Sequence, residues 1–179
     1  MPFFPAFPQI GRITREGVHY VDGVPVTDSP FGRDPFEPVK HAVVTELIAE
    51  QSALPSESFP PLQAEDPVPE MDGILVFDAG SLDDLSATGQ RLMEEGRLSV
   101  MSGCAAFGAV LPELLGLTSG QKQPVPKLDP RLLVVCGSVN PITLAQLDAA
   151  EGAGFSRLRL TLRQKLEPGY WQSQEGKED

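Results

Sequence analysis

Two hydrophobic periods divide the chain into elements. Val18–Val21 and residues 24–27 are β-rich runs on either side of Asp22-Gly23, whose turn positions need positive φ, so the pattern predicts a hairpin. Residues 12–14 can add a further extended piece, and Asp34-Pro35 with Glu37-Pro38 force an extended or turning path. Val43, Val44, Leu47 and Ile48 recur at helical spacing. Residues 52–70 hold five prolines and several acids without periodicity and read as a loop.

Residues 73–78 (Gly-Ile-Leu-Val-Phe-Asp) form a short continuous apolar run and predict a buried parallel strand. Ser81 caps the helix that follows, Asp83 and Asp84 face its dipole, and Gly96 stops it. Residues 98–101 predict a second buried strand, and residues 102–115, small and apolar, a helix packed close to a sheet. Residues 117–130 read as a loop and residues 132–136 as a third apolar strand. Residues 141–153 form a helix with Asn140 as cap and Pro141 at its first position. Leu158, Leu160 and Leu162 alternate with arginines as in a strand with one wet face, and a polar tail begins at Glu167. The expected class is α/β: a mostly parallel sheet with flanking helices and an N-terminal β-hairpin, one domain over residues 1–166 and a tail over 167–179.

Composition narrows the function classes. With 179 residues, 41% hydrophobic and 22% charged, the chain can bury one real core and is not of the disordered class. A formal net charge of −11 repels phosphate backbones and argues against nucleic-acid binding. No run is long and apolar enough to span a bilayer, and residues 1–8 lack the basic start of a secretory signal. The two cysteines, Cys104 and Cys136, sit in apolar stretches and read as reduced, buried thiols of a cytoplasmic protein.

Four segments could carry chemistry. In Cys136-Gly137-Ser138-Val139-Asn140-Pro141-Ile142-Thr143 a strand turns into a helix start, where free N–H groups favour an anion, and Gly137, Ser138, Asn140 and Thr143 add donors and a close approach. Plain capping explains the same residues. Ser102 to Gly108 holds Cys104, a nucleophile only if a base stands beside it, and otherwise a small-residue helix start. Gly11, Arg12 and Thr14, with His19, Tyr20, Arg33 and Asp34, could bind a carboxylate and hydroxyls through the arginine fork. The alternative there is a solvated hairpin with Asp34 tied into its own turn. Asp78 ends its strand where α/β ligands bind, and could hold a hydroxyl or cap a loop. Asp83 and Asp84 have no further ligands clustered with them and are not read as a metal site.

Beyond these patterns, several motifs carry a resemblance. Pro5-Ala6-Phe7-Pro8 with Gly11-Arg12-Ile13-Thr14, then Gly17-Val18-His19-Tyr20-Val21 and Phe31-Gly32-Arg33-Asp34-Pro35, resemble the opening block of four-carbon acid sugar kinases (DUF1537). Val76-Phe77-Asp78-Ala79, Gly103-Cys104-Ala105-Ala106-Phe107 and Cys136-Gly137-Ser138-Val139-Asn140-Pro141 follow in the same order, so the likeness covers roughly residues 5–165. It implies an N-terminal α/β domain for a threonate- or erythronate-type acid, with residues 11–34 on the acid's side. It also implies a C-terminal domain for ATP and Mg²⁺, with Ser138 and its neighbours facing the nucleotide. Asn140 and Cys104 stand where such kinases often have serine. Their Asp-Asp-x-Thr-Gly, Asp-Ser-x-x-Arg-Gly and Gly-Gly-Asp-Thr motifs do not occur in this sequence. The expectation is a truncated relative with weak or no kinase activity alone, since phosphoryl transfer depends on positioning and charge neutralisation. A sheet short of strands exposes an edge, which implies a homo-oligomer or a completing partner chain. The alternative is a non-catalytic interaction or effector-like chain on the same half-domain.

Overall fold

The computed structural model describes residues 1–117, 120, 124–127, 131–138 and 140–179. The chain divides into two compact units, Met1–Pro126 and Lys127–Asp179. The first holds strands β1 (Pro2–Phe4), β2 (Arg12–Arg15), β3 (Val18–Val21), β4 (Val24–Pro25), β5 (Ser56–Phe59), β6 (Ile74–Phe77) and β7 (Ser102–Gly103). Its helices are α1 (Val44–Ala49), α2 (Leu82–Glu94) and α3 (Ala105–Leu114). The second unit holds α4 (Pro141–Gly152), α5 (Leu162–Leu166) and α6 (Gln174–Glu178).

In the first unit β5, β6, β1 and β7 lie side by side in that order, and every pairing is parallel. Alternation along β1 and β6 builds a core on each face of this sheet. Phe4, Leu75 and Phe77 point to one side, where Leu85 and Leu92 of α2 and Ala106, Phe107 and Val110 of α3 cover them. Phe3, Ile74 and Val76 point to the other, against Val44 and Ile48 of α1. The α/β class with helices on both faces is what the apolar strand pattern predicts.

Local chemistry explains the element ends. Ser81 and Asp84 form a reciprocal capping box at the start of α2, and Asp84 Oδ2 also accepts the Gly80 N–H at 2.8 Å. Gly89 lets α3 approach α2 closely, since a Cβ there would stand 2.5 Å from Leu114 Cδ1. Thr88 Oγ1 accepts the Leu62 N–H at 2.9 Å and so pins the loop after β5 to α2.

The hairpin forms as expected: β3 pairs antiparallel with β2 and β4, and Asp22 and Gly23 both take positive φ. Residues 26–28 leave the hairpin as a short 3-10 helix instead of continuing the strand.

Several expectations are corrected. The expected loop over 52–70 contains β5, an edge strand whose Ser-Glu-Ser-Phe sequence has no apolar pattern because only one neighbour orders it. The proline-flanked β1 is a central strand, held by the Leu75 N–H to Met1 carbonyl bond at 2.9 Å and the Cys104 N–H to Phe4 carbonyl bond at 3.1 Å. Residues 98–101 are turn and bend. Leu98 enters the core but Val100 is 65% exposed, and the strand is the adjacent β7.

The second unit is helical and contains no strand among its described residues. Residues 132–136 form no strand among the described residues, with Leu133 88% and Val135 89% exposed, and Cys136 is an exposed free thiol, not a buried one. Asn140 caps α4 as expected, its Oδ1 accepting the Ile142 N–H at 2.9 Å. The expected strand around Leu158–162 is irregular chain followed by α5, because Arg157 turns back to bond Asp148 and Glu151 of α4 at 2.6 and 3.2 Å. The polar tail is structured: Tyr170 is buried, and Arg163 of α5 bonds Glu175 of α6 at 2.7 Å. Much of the expected loop over 117–130, and Val139, lie outside the described residues.

Candidate functional site

The β2–β3 hairpin sits against the ends of the sheet. Thr14 and Ala79 exchange two backbone hydrogen bonds, at 3.0 and 3.1 Å, just past the end of β6. On the α1 side, the His19 N–H donates to the Ala42 carbonyl at 2.8 Å and the Val44 N–H to the Gly17 carbonyl at 2.9 Å. The hairpin is therefore a fixed ledge, joined to both the parallel sheet and the lead-in to α1.

Strand alternation sorts the candidate residues by face. Cross-strand partners are Thr14 with His19 and Arg12 with Val21, which puts Arg12, Thr14 and His19 on one face. Thr14 is buried and its Oγ1 is hydrogen-bonded to His19 Nδ1 at 3.2 Å, which fixes the imidazole plane and leaves Nε2 for another partner. The Arg12 guanidinium lies over the Phe31 ring, 4.8 Å from its centroid. Among the described residues no carboxylate pairs with Arg12. The face thus presents a cation with no carboxylate partner among the described residues and an imidazole, with the buried Thr14 hydroxyl behind the ring.

Burial first, and then the Arg12 charge, hold the His19 pKa below the ordinary histidine value of 6.5, so the ring is neutral at pH 7. The sign follows for stability. Below about pH 6.5 the unfolded chain takes up the proton before the folded chain does, so stability falls as pH drops through that range. His19→Gln should remove this part of the slope. Urea midpoints of the two proteins at about pH 7.5 and 5.5 check it, with wild type falling further.

The other residues expected at the site are placed differently. Tyr20 is on the opposite hairpin face, under the Arg15 guanidinium at 5.3 Å. Gly11 takes φ 71° in the turn into β2, where a Cβ would stand 2.2 Å from Asp22 Oδ1. Arg33 donates to the Asp28 carbonyl at 3.3 Å. Asp34 accepts the Phe36 and Glu37 N–H groups, both at 2.9 Å, and these bonds keep its carboxyl below the usual range. Arg33 and Asp34 shape the loop that carries Phe31. Phe31, the platform for Arg12, carries no signal of that role in its spacing.

His19 also borders a cavity of about 540 Å³ on the α1 side of the sheet, with Phe3, Pro5, Val44, Ile48 and Cys104. Cys104 donates its thiol to the Ala6 carbonyl at 2.7 Å. A second hollow of about 430 Å³ opens past the ends of β5 and β6, bordered by Thr14, Arg15, Glu16, Pro60 and Asp78.

In the second unit Gly137, Ser138, Asn140 and Thr143 lie at the entry to α4. Ser138 Oγ accepts the Asn140 N–H at 3.1 Å and Asn140 caps the helix, so both side chains are engaged in local capping. The stretch 136–143 has no charged residue. Among the described residues there is no group of three or more His, Cys, Asp or Glu able to hold a metal ion. Residues 136–143 supply no carboxylate for Mg²⁺. No helix among the described residues is long and apolar enough to cross a membrane.

Comparison with known proteins places these features in a family. The family model for a sugar-binding N-terminal domain matches residues 1–111. The D-threonate kinase of Salmonella typhimurium is 31% identical over 159 residues, covering 81% of this chain and 35% of its own. The D-erythronate kinase of Heliobacterium modesticaldum is 33% identical over 162 residues, covering 83% and 35%. The chain therefore spans about a third of the length of these curated relatives. Among solved structures, a DUF1537 protein of Bordetella bronchiseptica, described with bound citrate as a domain-swapped dimer, shares the fold. Its TM-score is 0.50 at 23% identity, over 96% of this chain and 42% of that one.

Proposed function

Because the chain belongs to the four-carbon acid sugar kinase family, through its sugar-binding N-terminal domain, we propose that it binds a four-carbon hydroxy acid of the threonate or erythronate type on the Arg12–Thr14–His19 face. The observation that carries this reading is the Arg12 guanidinium, held on the Phe31 ring and without a carboxylate partner among the described residues. A guanidinium presents two parallel N–H groups that match a carboxylate. Neutral His19 Nε2, with the ring held by Thr14, gives a short-range partner for a ligand hydroxyl, which suits a hydroxy acid better than a simple one. Gly11, Arg33 and Asp34 act indirectly, by shaping the two turns that carry Arg12 and Phe31. Tyr20 steadies the opposite face of the hairpin.

ATP-dependent phosphoryl transfer by the 179-residue chain alone is proposed to be weak or absent. This rests on the 136–143 stretch, which holds no charged residue to grip phosphates. Self-association is part of the proposal, because the apolar side chains of residues 132–135 are largely exposed and large apolar patches mark contact surfaces.

Titration calorimetry with D-threonate, D-erythronate and the uncharged tetritol erythritol tests the binding reading. Heat is expected with the two acids and not with erythritol. Equal heats for all three, or none for either acid at millimolar concentration, would refute it. An ADP-coupled assay with Mg·ATP and the same acids tests the second part, and sustained turnover would refute that.

A further inference from the structure

Asp78 is a carboxylate in a place where a carboxylate is costly. It stands at the end of β6 and is almost fully buried. Burial pushes its pKa above the ordinary carboxyl range, against the lowering effect of the Gly17 and Glu16 backbone N–H groups, and the Glu16 charge adds to the rise. Its two oxygens both lie within reach of one donor, the Gly17 N–H, at 3.1 and 3.3 Å.

That N–H belongs to the tight turn between β2 and β3. Glu16 and Gly17 both take left-handed backbone conformations, with φ 52° and 75°. For Glu16 this is a strained region that must be held by its surroundings. Gly17 also has no room for a side chain, since a Cβ would stand 2.9 Å from Ser58 Oγ on the neighbouring strand β5. Ser58 Oγ is itself buried without a hydrogen-bond partner. The turn is thus wedged between β5 and the end of β6, and Asp78 is the sheet side chain that bonds it among the described residues.

From this geometry we propose that Asp78 is a positioning residue: its carboxylate fastens the Gly17 turn to the end of β6 and so holds the Thr14–His19 pair in register with Arg12. The inference deepens the binding reading above and rests on it for its ligand. Thr14 and His19 are two residues to either side of the Glu16-Gly17 turn, so a turn that shifts moves both partners of their 3.2 Å hydrogen bond. The contact that assigns Asp78 to the backbone is the Gly17 N–H, which both of its oxygens share.

Two variants test this by NMR and calorimetry on the full chain. Asp78→Ala removes the acceptor. Exchange of the Gly17 amide should quicken at least about tenfold, the loss of a hydrogen bond to a charged group. The His19 imidazole pKa should move toward the free value of about 6.5, and D-threonate affinity should fall by a similar factor. Asp78→Asn keeps an acceptor of the same length without the charge. It should restore threonate affinity and the His19 pKa to near wild type, with Gly17 exchange only a few-fold faster because a neutral oxygen accepts more weakly. If Asp78→Ala does not fold, Asp78→Asn alone decides, and unchanged Gly17 exchange in it would overturn the proposal. Asp78→Asn losing threonate affinity while Gly17 and His19 stay in place would also overturn it, since Asp78 would then be touching the ligand. Should wild type fail to bind threonate, the binding reading falls, while the Gly17 and His19 readouts still judge the role of Asp78.

Discussion

Phe4→Ala should cost the first unit about 3–5 kcal/mol, the usual toll of emptying a fully buried aromatic site. Phe4 is completely buried on the central strand β1. Its ring stacks on Phe107 of α3 with centroids 3.7 Å apart and on Phe77 of β6 at 5.7 Å. One side chain thus joins the strand, its neighbour and the covering helix. Against a total stability of about 5–15 kcal/mol for such a domain, the loss leaves a marginal fold. Thermal unfolding should shift down by roughly 10–30 °C. Phe4→Leu, which keeps most of the volume, should lose far less. A midpoint for Phe4→Ala within about 3 °C of wild type would show that the packing around β1 is not as described.

The second large effect is on binding. Arg12→Ala should weaken D-threonate at least about tenfold, because a hydrogen bond to a charged group is worth about 1.5–3 kcal/mol and tenfold is about 1.4. The same change should barely alter folding, since the guanidinium's contact with the half-exposed Phe31 ring is worth about 0.5–1 kcal/mol. Arg12→Lys should fall between the two proteins, keeping the charge but losing the planar fork. His19 gives an internal check. Arg12 is the second cause of its lowered pKa, so Arg12→Ala should raise that pKa while burial keeps it below the ordinary value. Undiminished threonate affinity in Arg12→Ala, with intact fold, would remove Arg12 from the site.

The elements that carry their own local chemistry were legible in the sequence. Asp22-Gly23 needs no partner to specify a hairpin, and the Ser81–Asp84 capping box starts α2 by itself. The long apolar run of β6 announces burial on both faces. What escaped are strands defined by their neighbours. β1 is three residues that begin with a proline and are followed by one, and β5 is mostly polar; each is ordered by pairing, β5 with β6 and β1 with β6 and β7. The opposite error arose at residues 132–136, where apolar side chains suggest a strand but no strand forms among the described residues. That Arg12, Thr14 and His19 lie on one hairpin could be read from its turn signal. Phe31 under Arg12 and the bond from Asp78 to Gly17 could not, since the latter joins residues 61 apart and depends on the tertiary fold.

The location of the proposed acid site is tested most directly by following backbone and arginine side-chain NH resonances while D-threonate is added to the full chain. The arrangement described here predicts that the largest shifts fall on the Arg12 side chain, Thr14 and His19, with the Phe31 loop following and α4 unaffected. Shifts concentrated instead around Val44, Ile48 and Cys104, or at residues 137–143, with Arg12 unmoved, would contradict it.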